Sequence, residues 1–286
     1  MSKVLDELLT LLRLEQIEQN LFRGQSQELG WGAIFGGQVL GQALSAAART
    51  VPVERHVHSL HGYFLRQGDA AKPVVYEVDC IRDGKSFTTR RVVAIQNGRA
   101  IFNMSASFQR AEPGFEHQAP MPSVPGPDGL RSERELLIAL GERLPPALRV
   151  RAERERPIEI RPVAPVDPLA PEPRAPARQV WYRAAGEVPD EPAVHSYLLA
   201  YASDFHFLPT SLQPHAVTPV SHKIQVASLD HAMWFHRPFR IDDWLLYVID
   251  SPNAGGARGL VRGQFFDRAG NLVASTAQEG LIRRWE

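Results

Sequence analysis

Hydrophobic residues follow a helical spacing at the start of the chain and an alternating spacing soon after it. From Leu5 to Ile17 the apolar residues recur with charged residues between them, which predicts an amphipathic helix that Ser2 is placed to cap. The sequence of residues 20–25 predicts a short strand. Gly36 and Gly37 then lead into a second predicted helix, whose small residues allow close packing against a sheet.

In residues 56–109 hydrophobic and polar residues alternate with a period of two, which is typical of strands with one buried face. Four such runs predict an antiparallel meander. Asn97 and Gly98 separate the last two runs and form the pair expected in a type I′ hairpin. Beyond that turn, one face carries Phe102, Met104, Ala106 and Phe108. Cys80 lies in the second run and is predicted to be a small core residue rather than a nucleophile.

Proline dominates the middle of the chain. Residues 113–176 hold 14 of the 23 prolines, and proline cannot continue a helix or the interior of a sheet. We therefore expect a connector over 113–178. Within it, Ser132 and Glu135 have the spacing of a capping box, which predicts a short helix. The charged run that begins at Arg149 favours a solvated surface over a binding site.

The second half repeats the order of the first half. A strand is predicted from Gln179, a helix over the apolar run 194–208, and another alternating meander follows. Elements that recur in the same order indicate a duplication. An offset of 169 relates residues 57–61 to 226–230 and Gln109 to Gln278, and the turn glycines Gly98 and Gly270 give 172.

Duplication predicts the fold class. A single small sheet cannot cover its helix from both sides, so two units would join their sheets. The expected architecture is α+β, with an N-terminal repeat over 1–112 and a C-terminal repeat over 179–286. The two repeats would form one curved sheet around two central helices.

Composition narrows the class of partner. Lys plus Arg and Asp plus Glu both number 32, so the charge balance indicates neither a nucleic acid nor an anionic membrane as partner. No apolar run approaches the ~20 residues of a membrane span, and the charged first helix is unlike a signal peptide. A single cysteine excludes an internal disulfide and fits a reducing compartment, so we expect a cytoplasmic protein.

Asp204 is the best candidate for chemistry, because it interrupts the apolar run 194–208. An ionised carboxylate among apolar neighbours is costly unless something compensates for its lost hydration. An exposed position at a helix edge is the commoner reason for such an Asp. In a buried position its pKa would instead rise toward the working pH, which would make it a competent general base.

Longer motifs carry a resemblance to a known family. LFRGQSQELGWGAIFGGQVLGQAL, HSLHGYFLRQGD, LLAYASDFHFLP, SLDHAMWFHRPF and ASTAQEG closely resemble segments of the acyl-CoA thioesterase II family, and the similarity covers nearly the whole chain. The resemblance implies a double hot-dog enzyme that hydrolyses acyl-CoA to fatty acid and CoA without a metal or cofactor. We expect medium- to long-chain substrates, held in an apolar tunnel between helix and sheet.

The resemblance also implies the site residues. The water-activating acid is Asp204, the hydroxyl is Ser228, where many members carry Thr, and the amide is Gln278. The first repeat has Gln42 or Ser45 where the second has the acid, so the first repeat is expected to be inactive and to supply tunnel walls. The candidate substrate-binding residues are His58, Gly37 and Gln38. We expect a homo-oligomer, a dimer or tetramer, because a curved sheet leaves an edge or a face to cover.

Three alternatives remain open from the sequence. An enoyl-CoA hydratase of the same fold would pair an acid with a histidine, for which Asp204 with His206 or His215 is a candidate. A non-catalytic acyl-CoA or lipid carrier would bind the chain without turnover. A metal site could draw on His206, His231 and His236, but no HExxH or CxxC spacing supports one.

Overall fold

The computed structural model describes residues 2–30, 32–219 and 224–285. In the first half the bounds are α1 Lys3–Leu12, β1 Glu15–Glu18, β2 Leu21–Gly24, α2 Gly36–Ala48, β3 Arg55–Phe64, β4 Val74–Asp83, β5 Phe87–Gln96 and β6 Arg99–Arg110. The two helices and the four-strand meander predicted for this half are confirmed. The hairpin at Asn97 and Gly98 has positive φ at both residues, 51° and 71°, as a type I′ turn requires.

The connector and the second half contain three further helices and seven strands among the described residues. Their bounds are α3 Glu133–Ala139, α4 Pro146–Glu153, β7 Ile158–Pro162, β8 Ala177–Ala184, α5 Pro192–Ser203, β9 Ile224–Ser228, β10 Asp230–Phe235, β11 Leu245–Gly255, β12 Arg258–Phe266 and β13 Leu272–Arg284. Short 3₁₀ helices cover Pro127–Gly129, Gly141–Arg143 and Leu208–His215.

All the described strands join one antiparallel sheet. Its order is β1-β2-β4-β5-β6-β3-β10-β13-β12-β11-β8-β7, and β9 pairs with β13 beside this path. The two halves of the sheet meet where β3 pairs with β10, with Gly62 opposite His231. Outward from this junction the strands follow in matching order, β3-β6-β5-β4-β2-β1 on one side and β10-β13-β12-β11-β8-β7 on the other. Each strand of the first half therefore has a counterpart in the second, and the predicted duplication within one sheet is confirmed.

Strand pairing fixes the offset between the repeats. Tyr76 pairs with Ala94 and Tyr247 pairs with Phe265, so an offset of 171 residues relates the two pairs. This value agrees with the turn glycines to within one residue and differs from the 169 that brought Gln109 onto Gln278. Tyr76 and Tyr247 therefore occupy equivalent positions.

Helices α2 and α5 pack against each other at the centre of the molecule. Glycine allows this approach, because a Cβ atom at Gly41 would lie 3.0 Å from the Tyr197 carbonyl oxygen, and one at Gly37 would collide with the Tyr201 carbonyl. The surrounding core is continuous between the repeats and includes Leu40, Leu44, Val92, Phe102, Leu198 and Val261. The predicted arrangement of two central helices is confirmed.

The connector contains more structure than its prolines suggest. Strand β7 extends the sheet at its edge, with Ile158 and Ile160 buried, and Pro162 is tolerated at the end of an edge strand. Strand β8 begins at Ala177, so the predicted boundary at 178 falls inside a strand. The capping box is confirmed, since Ser132 and Glu135 exchange both expected hydrogen bonds.

Three local predictions need correction. Ser2 stands at the N-cap of α1, but its backbone carbonyl and not its side chain accepts the hydrogen bonds. Ile17 belongs to β1 rather than to the helix and is 48% exposed. Cys80 is exposed rather than buried, because burial along β4 stops after Val78, where a bulge carries the strand end beyond the core.

No helix in the described ranges is long and apolar enough to cross a membrane.

Candidate active site

Asp204 ends helix α5 rather than lying inside it. Ser203 is the last helical residue, and Asp204 is the C-cap, with φ −83° and ψ −11°. The helix predicted over 194–208 stops early because His206 adopts a left-handed φ of 59° and Pro209 follows. The apolar run is therefore divided between α5 and the 3₁₀ helix Leu208–His215.

A carboxylate at the C-terminal end of a helix opposes the helix dipole. Helix C-termini favour positively charged side chains, and in the first repeat the C-cap of α2 is accordingly Arg49. In the first repeat, Gln42 or Ser45 was predicted to take the position of the acid. Both lie in the interior of α2, where each side chain donates a hydrogen bond of 2.8 Å to a backbone carbonyl of α1. The acidic C-cap is thus particular to the second repeat.

Three groups donate hydrogen bonds to the Asp204 carboxylate. Gln278 donates from Nε2 to Oδ1 at 3.0 Å. The Ser228 hydroxyl and the Gly37 backbone N–H supply the other two. The structure therefore brings the three predicted catalytic residues together, from the end of α5, from β9 and from β13, and adds a backbone group from α2 of the other repeat.

The N-terminus of α2 faces the same carboxylate. The helix begins at Gly36, and a Cβ atom at Gly36 would lie 2.7 Å from Asp204 Oδ2. Backbone N–H groups at a helix N-terminus favour a negative charge. Asp204 thus stands at the unfavourable end of its own helix and at the favourable end of the helix packed against it.

The protonation of Asp204 is set by opposing influences. The residue keeps some accessible surface, but protein surrounds the carboxylate densely, and this burial raises the pKa of Asp204 above its ordinary value of 3.8. The hydrogen bonds from Gln278, Gly37 and Ser228 act in the opposite direction and do not cancel the effect. A carboxylate with a raised pKa is a stronger base than an exposed one, which suits proton abstraction.

Ser228 reaches the acid from the last position of β9. It pairs with Gly280 of β13, and the two segments β9 and β10 are separated only by Leu229. Gly280 is needed there, because a Cβ atom would collide with the Leu208 side chain and lie 3.0 Å from the Ala227 carbonyl oxygen. Close packing of β9 on β13 thus sets the position of the hydroxyl.

The Gln278 side chain is fully buried, and one of its two polar atoms has a hydrogen-bond partner among the described residues. Its Nε2 faces the carboxylate because a carboxylate can only accept hydrogen bonds. Its Oε1 is a buried acceptor with no hydrogen-bond partner among the described residues. Buried acceptors are usually satisfied, so this atom is a natural site for a water molecule beside the acid.

Comparison with known proteins matches the whole chain to one family. The sequence model described as Acyl-CoA thioesterase matches residues 148–281, and the model of the Acyl-CoA thioesterase N-terminal domain matches residues 26–109. The chain is 44% identical to acyl-CoA thioesterase 2 of Haemophilus influenzae over 284 residues, which is 99% of each protein. This chain belongs to the acyl-CoA thioesterase II family.

Solved structures agree with this assignment. The crystal structure of an acyl-CoA thioesterase II, TesB2, from Mycobacterium marinum superposes with a TM-score of 0.78 at 44% identity and covers 97% of this chain and 98% of its own. A protein with a hot-dog fold from Alicyclobacillus acidocaldarius gives 0.77 at 20% identity, over 99% of each chain. The predicted double hot-dog fold is confirmed.

Two of the candidate substrate-binding residues of this thioesterase lie apart from the three hydrogen bonds to Asp204. His58 bonds Ser107 on the neighbouring strand through Nε2 at 2.8 Å and packs edge-on against Phe87. The Gln38 side chain is buried and bonded to the backbone at Gln25 and Gln27. Among the three candidates, only Gly37 contacts the acid.

Three of the histidines predicted as alternatives have other partners. His206 Nδ1 accepts from Arg178 at 2.9 Å, and its Nε2 lies 3.2 Å from the Glu133 carboxylate. His231 bonds Ser203, and His236 bonds Ser275. Within the described ranges, no group of three or more His, Cys, Asp or Glu side chains is placed to hold a metal ion.

Two tyrosines beside the acid were not predicted from the sequence. Tyr182 and Tyr247 are fully buried, and their hydroxyls donate to the carbonyls of Phe205 and Ser203, which flank Asp204. Glu133 was not predicted either; the connector helix α3 places it between His206 and Arg156. Aromatic residues in alternating strands are ordinary core positions, so no local pattern distinguishes these tyrosines.

Proposed function

We propose that this chain hydrolyses medium- to long-chain acyl-CoA by direct attack of a water molecule that Asp204, Gln278 and Ser228 activate. Hydrolysis of acyl-CoA follows from membership of the family, whereas the chain length of the substrate and the roles of the three residues are our proposal. The observation that carries the proposal is the buried, unpaired Gln278 Oε1 beside a carboxylate of raised pKa.

The geometry supports a shared water. A water molecule can donate one hydrogen to Asp204 and the other to Gln278 Oε1, which leaves a lone pair of its oxygen free for attack. The Nε2–Oδ1 hydrogen bond of 3.0 Å holds both acceptors in a fixed relation. Ser228 and Gly37 keep the carboxylate from rotating, so orientation is achieved before the substrate reacts.

The reaction then balances without a covalent intermediate on the protein. The water oxygen bonds to the thioester carbonyl carbon while Asp204 takes a proton from the water. Collapse of the tetrahedral intermediate breaks the C–S bond and releases CoA as a thiolate, which needs little acid assistance because an ordinary thiol has a pKa of about 8.5. Asp204 returns its proton to the thiolate or to solvent, and the products are a fatty acid and CoA.

We further propose that the enzyme works as a homo-oligomer in the cytoplasm. The single cysteine, Cys80, is exposed, and an exposed thiol is compatible with a reducing compartment. The sheet ends in the short strands β1 and β7, whose outer edges carry no further strand among the described residues. Light scattering at several protein concentrations tests the assembly, and a mass equal to one chain would contradict it.

Thiol release tests the proposed reaction. Acyl-CoA substrates from butyryl to palmitoyl are incubated with the protein and the free thiol is followed with a chromogenic reagent. We expect turnover that rises from short chains to decanoyl-CoA and palmitoyl-CoA. Acyl-CoA that stays intact while bound would indicate a carrier, and loss of enoyl absorbance without thiol release would indicate a hydratase.

A further inference from the structure

The peptide carbonyls on both sides of Asp204 are held by tyrosine hydroxyls. Tyr247 donates to the Ser203 carbonyl at 3.2 Å, and Tyr182 donates to the Phe205 carbonyl at 2.8 Å. Carbonyls at the C-terminal end of a helix lack partners within the helix. A glycine in the left-handed conformation commonly solves this problem, whereas here two side chains from the sheet do so.

One of these tyrosines also contacts the strand that carries Gln278. The Tyr247 hydroxyl lies 2.8 Å from Thr276 Oγ1. A tyrosine has one hydroxyl hydrogen, and the Ser203 carbonyl can only accept, so Thr276 donates to Tyr247 and Tyr247 donates to Ser203. Thr276 and Gln278 lie on the same face of β13, both buried. This chain of two hydrogen bonds therefore joins the strand of the amide to the helix end that bears the acid.

Packing leaves these groups little freedom. The Tyr247 ring stacks on Phe265 with centroids 3.8 Å apart and planes at 8°. Gly263 provides the space, because a Cβ atom there would lie 2.6 Å from Thr276 Oγ1 and would collide with the Tyr247 ring. Burial raises the pKa of Tyr182 and of Tyr247 well above the ordinary value, so both hydroxyls remain donors.

We infer that Tyr247, Thr276 and Tyr182 are positioning residues for the hydrolysis, and that their hydroxyls aim the Asp204 carboxylate at Gln278 by fixing the carbonyls beside it. This inference rests on the proposed role of Asp204. Without the hydroxyls, the two carbonyls must turn toward other donors, and the carboxylate turns with them. The O–H dipoles also offset the partial negative charge of the carbonyls, so their removal makes Asp204 harder to ionise.

Other titratable groups surround this end of α5 and remain unchanged in the test. His231 bonds the Ser203 hydroxyl at 3.0 Å, and burial lowers the pKa of His231 to about 3, so it stays neutral at working pH. His206, Glu133 and Arg178 form a neighbouring, partly buried cluster of polar contacts. If removal of a tyrosine hydroxyl changes the pH profile of kcat, the change therefore arises from the carbonyls beside Asp204.

The first repeat provides a matched control. Tyr76 is the counterpart of Tyr247, is equally buried, and donates to Gln42 Oε1 at 2.7 Å. Tyr76→Phe therefore removes the same atom from an equivalent place that does not contact Asp204. We expect Tyr247→Phe and Tyr76→Phe to lower the melting temperature by similar amounts.

The experiment measures kcat, KM and the pH dependence of kcat for decanoyl-CoA. We expect Tyr247→Phe to lower kcat about 10-fold with KM within about twofold of the wild type, and to move the acid limb of the profile to higher pH. Tyr182→Phe should act in the same direction, and Tyr76→Phe should leave kcat and the limb unchanged. The inference is overturned if kcat falls no further in Tyr247→Phe than in Tyr76→Phe and the acid limb of the Tyr247→Phe profile stays at the wild-type pH.

Thr276 gives a second test should Tyr247→Phe fail to fold. Thr276→Val keeps the shape and removes the donor, whereas Thr276→Ser keeps the hydroxyl, so only the serine variant should retain kcat and the limb. Equal kcat in the two variants would contradict the inference. If Asp204→Asn hydrolyses as fast as the wild type, the proposed role of the acid fails; if Asp204→Asn is inactive and these variants are not impaired, only the positioning inference fails.

Discussion

The α-carbon of Gly36 faces Asp204 so closely that a Cβ atom built there would lie 2.7 Å from Oδ2. Gly36 starts the central helix of the first repeat, and Asp204 ends the central helix of the second. The site therefore lies at the junction of the two repeats. The first repeat contributes directly to this site, because the N-terminus of its helix faces the carboxylate of the second repeat.

Substitution of Gly36 by alanine should impair the reaction more than the fold. The new methyl group forces the carboxylate away from its three donors, so we expect kcat to fall about 10-fold or more. Gly129→Ala is the matched control, since a Cβ atom there meets nothing within 4 Å. Steady-state thiol release and melting temperature are measured for both variants. A Gly36→Ala enzyme as fast as Gly129→Ala would contradict this description of the site.

A second carboxylate beside Asp204 should change the pH dependence. Gln278→Glu keeps the size of the side chain but places a negative charge where an N–H donor now lies 3.0 Å from Oδ1. A like charge disfavours ionisation, so the acid limb of kcat should move to higher pH. Gln264→Glu, on the partly exposed face of β12, is the control and should leave the limb in place. A limb that stays fixed or moves to lower pH in Gln278→Glu would count against Asp204 as the titrating base.

Asp204 should reduce the stability of the native protein at neutral pH. Its pKa is raised in the folded state, so the native protein binds this proton more tightly, and stability is lost as pH rises from the ordinary Asp pKa through the folded pKa. Asp204→Asn removes this penalty. We expect its melting temperature to exceed that of the wild type at about pH 8, and the difference to shrink at about pH 4. A difference that grows on acidification would reverse the sign we assign.

The hydroxyl of Ser228 should matter more than its size. Ser228→Ala removes a hydrogen bond to the carboxylate, and we expect kcat to fall about 10-fold or more. Ser228→Thr keeps the donor and adds a methyl group that stiffens the side chain, so kcat should stay within about threefold of the wild type. Thiol release from decanoyl-CoA compares the two. Equal losses in both variants would indicate that packing at this position, rather than the hydroxyl, is decisive.

Periodicity predicted the elements well where the local pattern and the tertiary environment agree. The alternating runs became β3 to β6, and Ser132 with Glu135 formed the expected capping box. Cys80 was misplaced because alternation specifies a face of a strand but not where the core ends. Strand β7 was missed because proline at the end of an edge strand disrupts no hydrogen bond of the sheet.

The site was predictable only in part, because its residues come from distant segments. The resemblance to the family supplied Asp204, Ser228 and Gln278, which the structure brings together. It could not reveal that Asp204 is a C-cap, since apolar residues continue on both sides of it. Gly37 was named from the sequence as a substrate-binding candidate, but its role as a backbone donor to Asp204 was not predicted. That role and the role of the buried Tyr247 hydroxyl have no signature in the sequence, because they depend on the packing of separate elements.

The role of Asp204 is tested most directly by Asp204→Asn. The amide keeps the shape of the side chain but cannot accept a proton from water, so we expect thiol release to fall about 10²- to 10⁴-fold. Binding of decanoyl-CoA, measured by calorimetry with the same variant, should be retained. An Asp204→Asn enzyme that binds decanoyl-CoA and releases thiol as fast as the wild type would contradict water activation by Asp204.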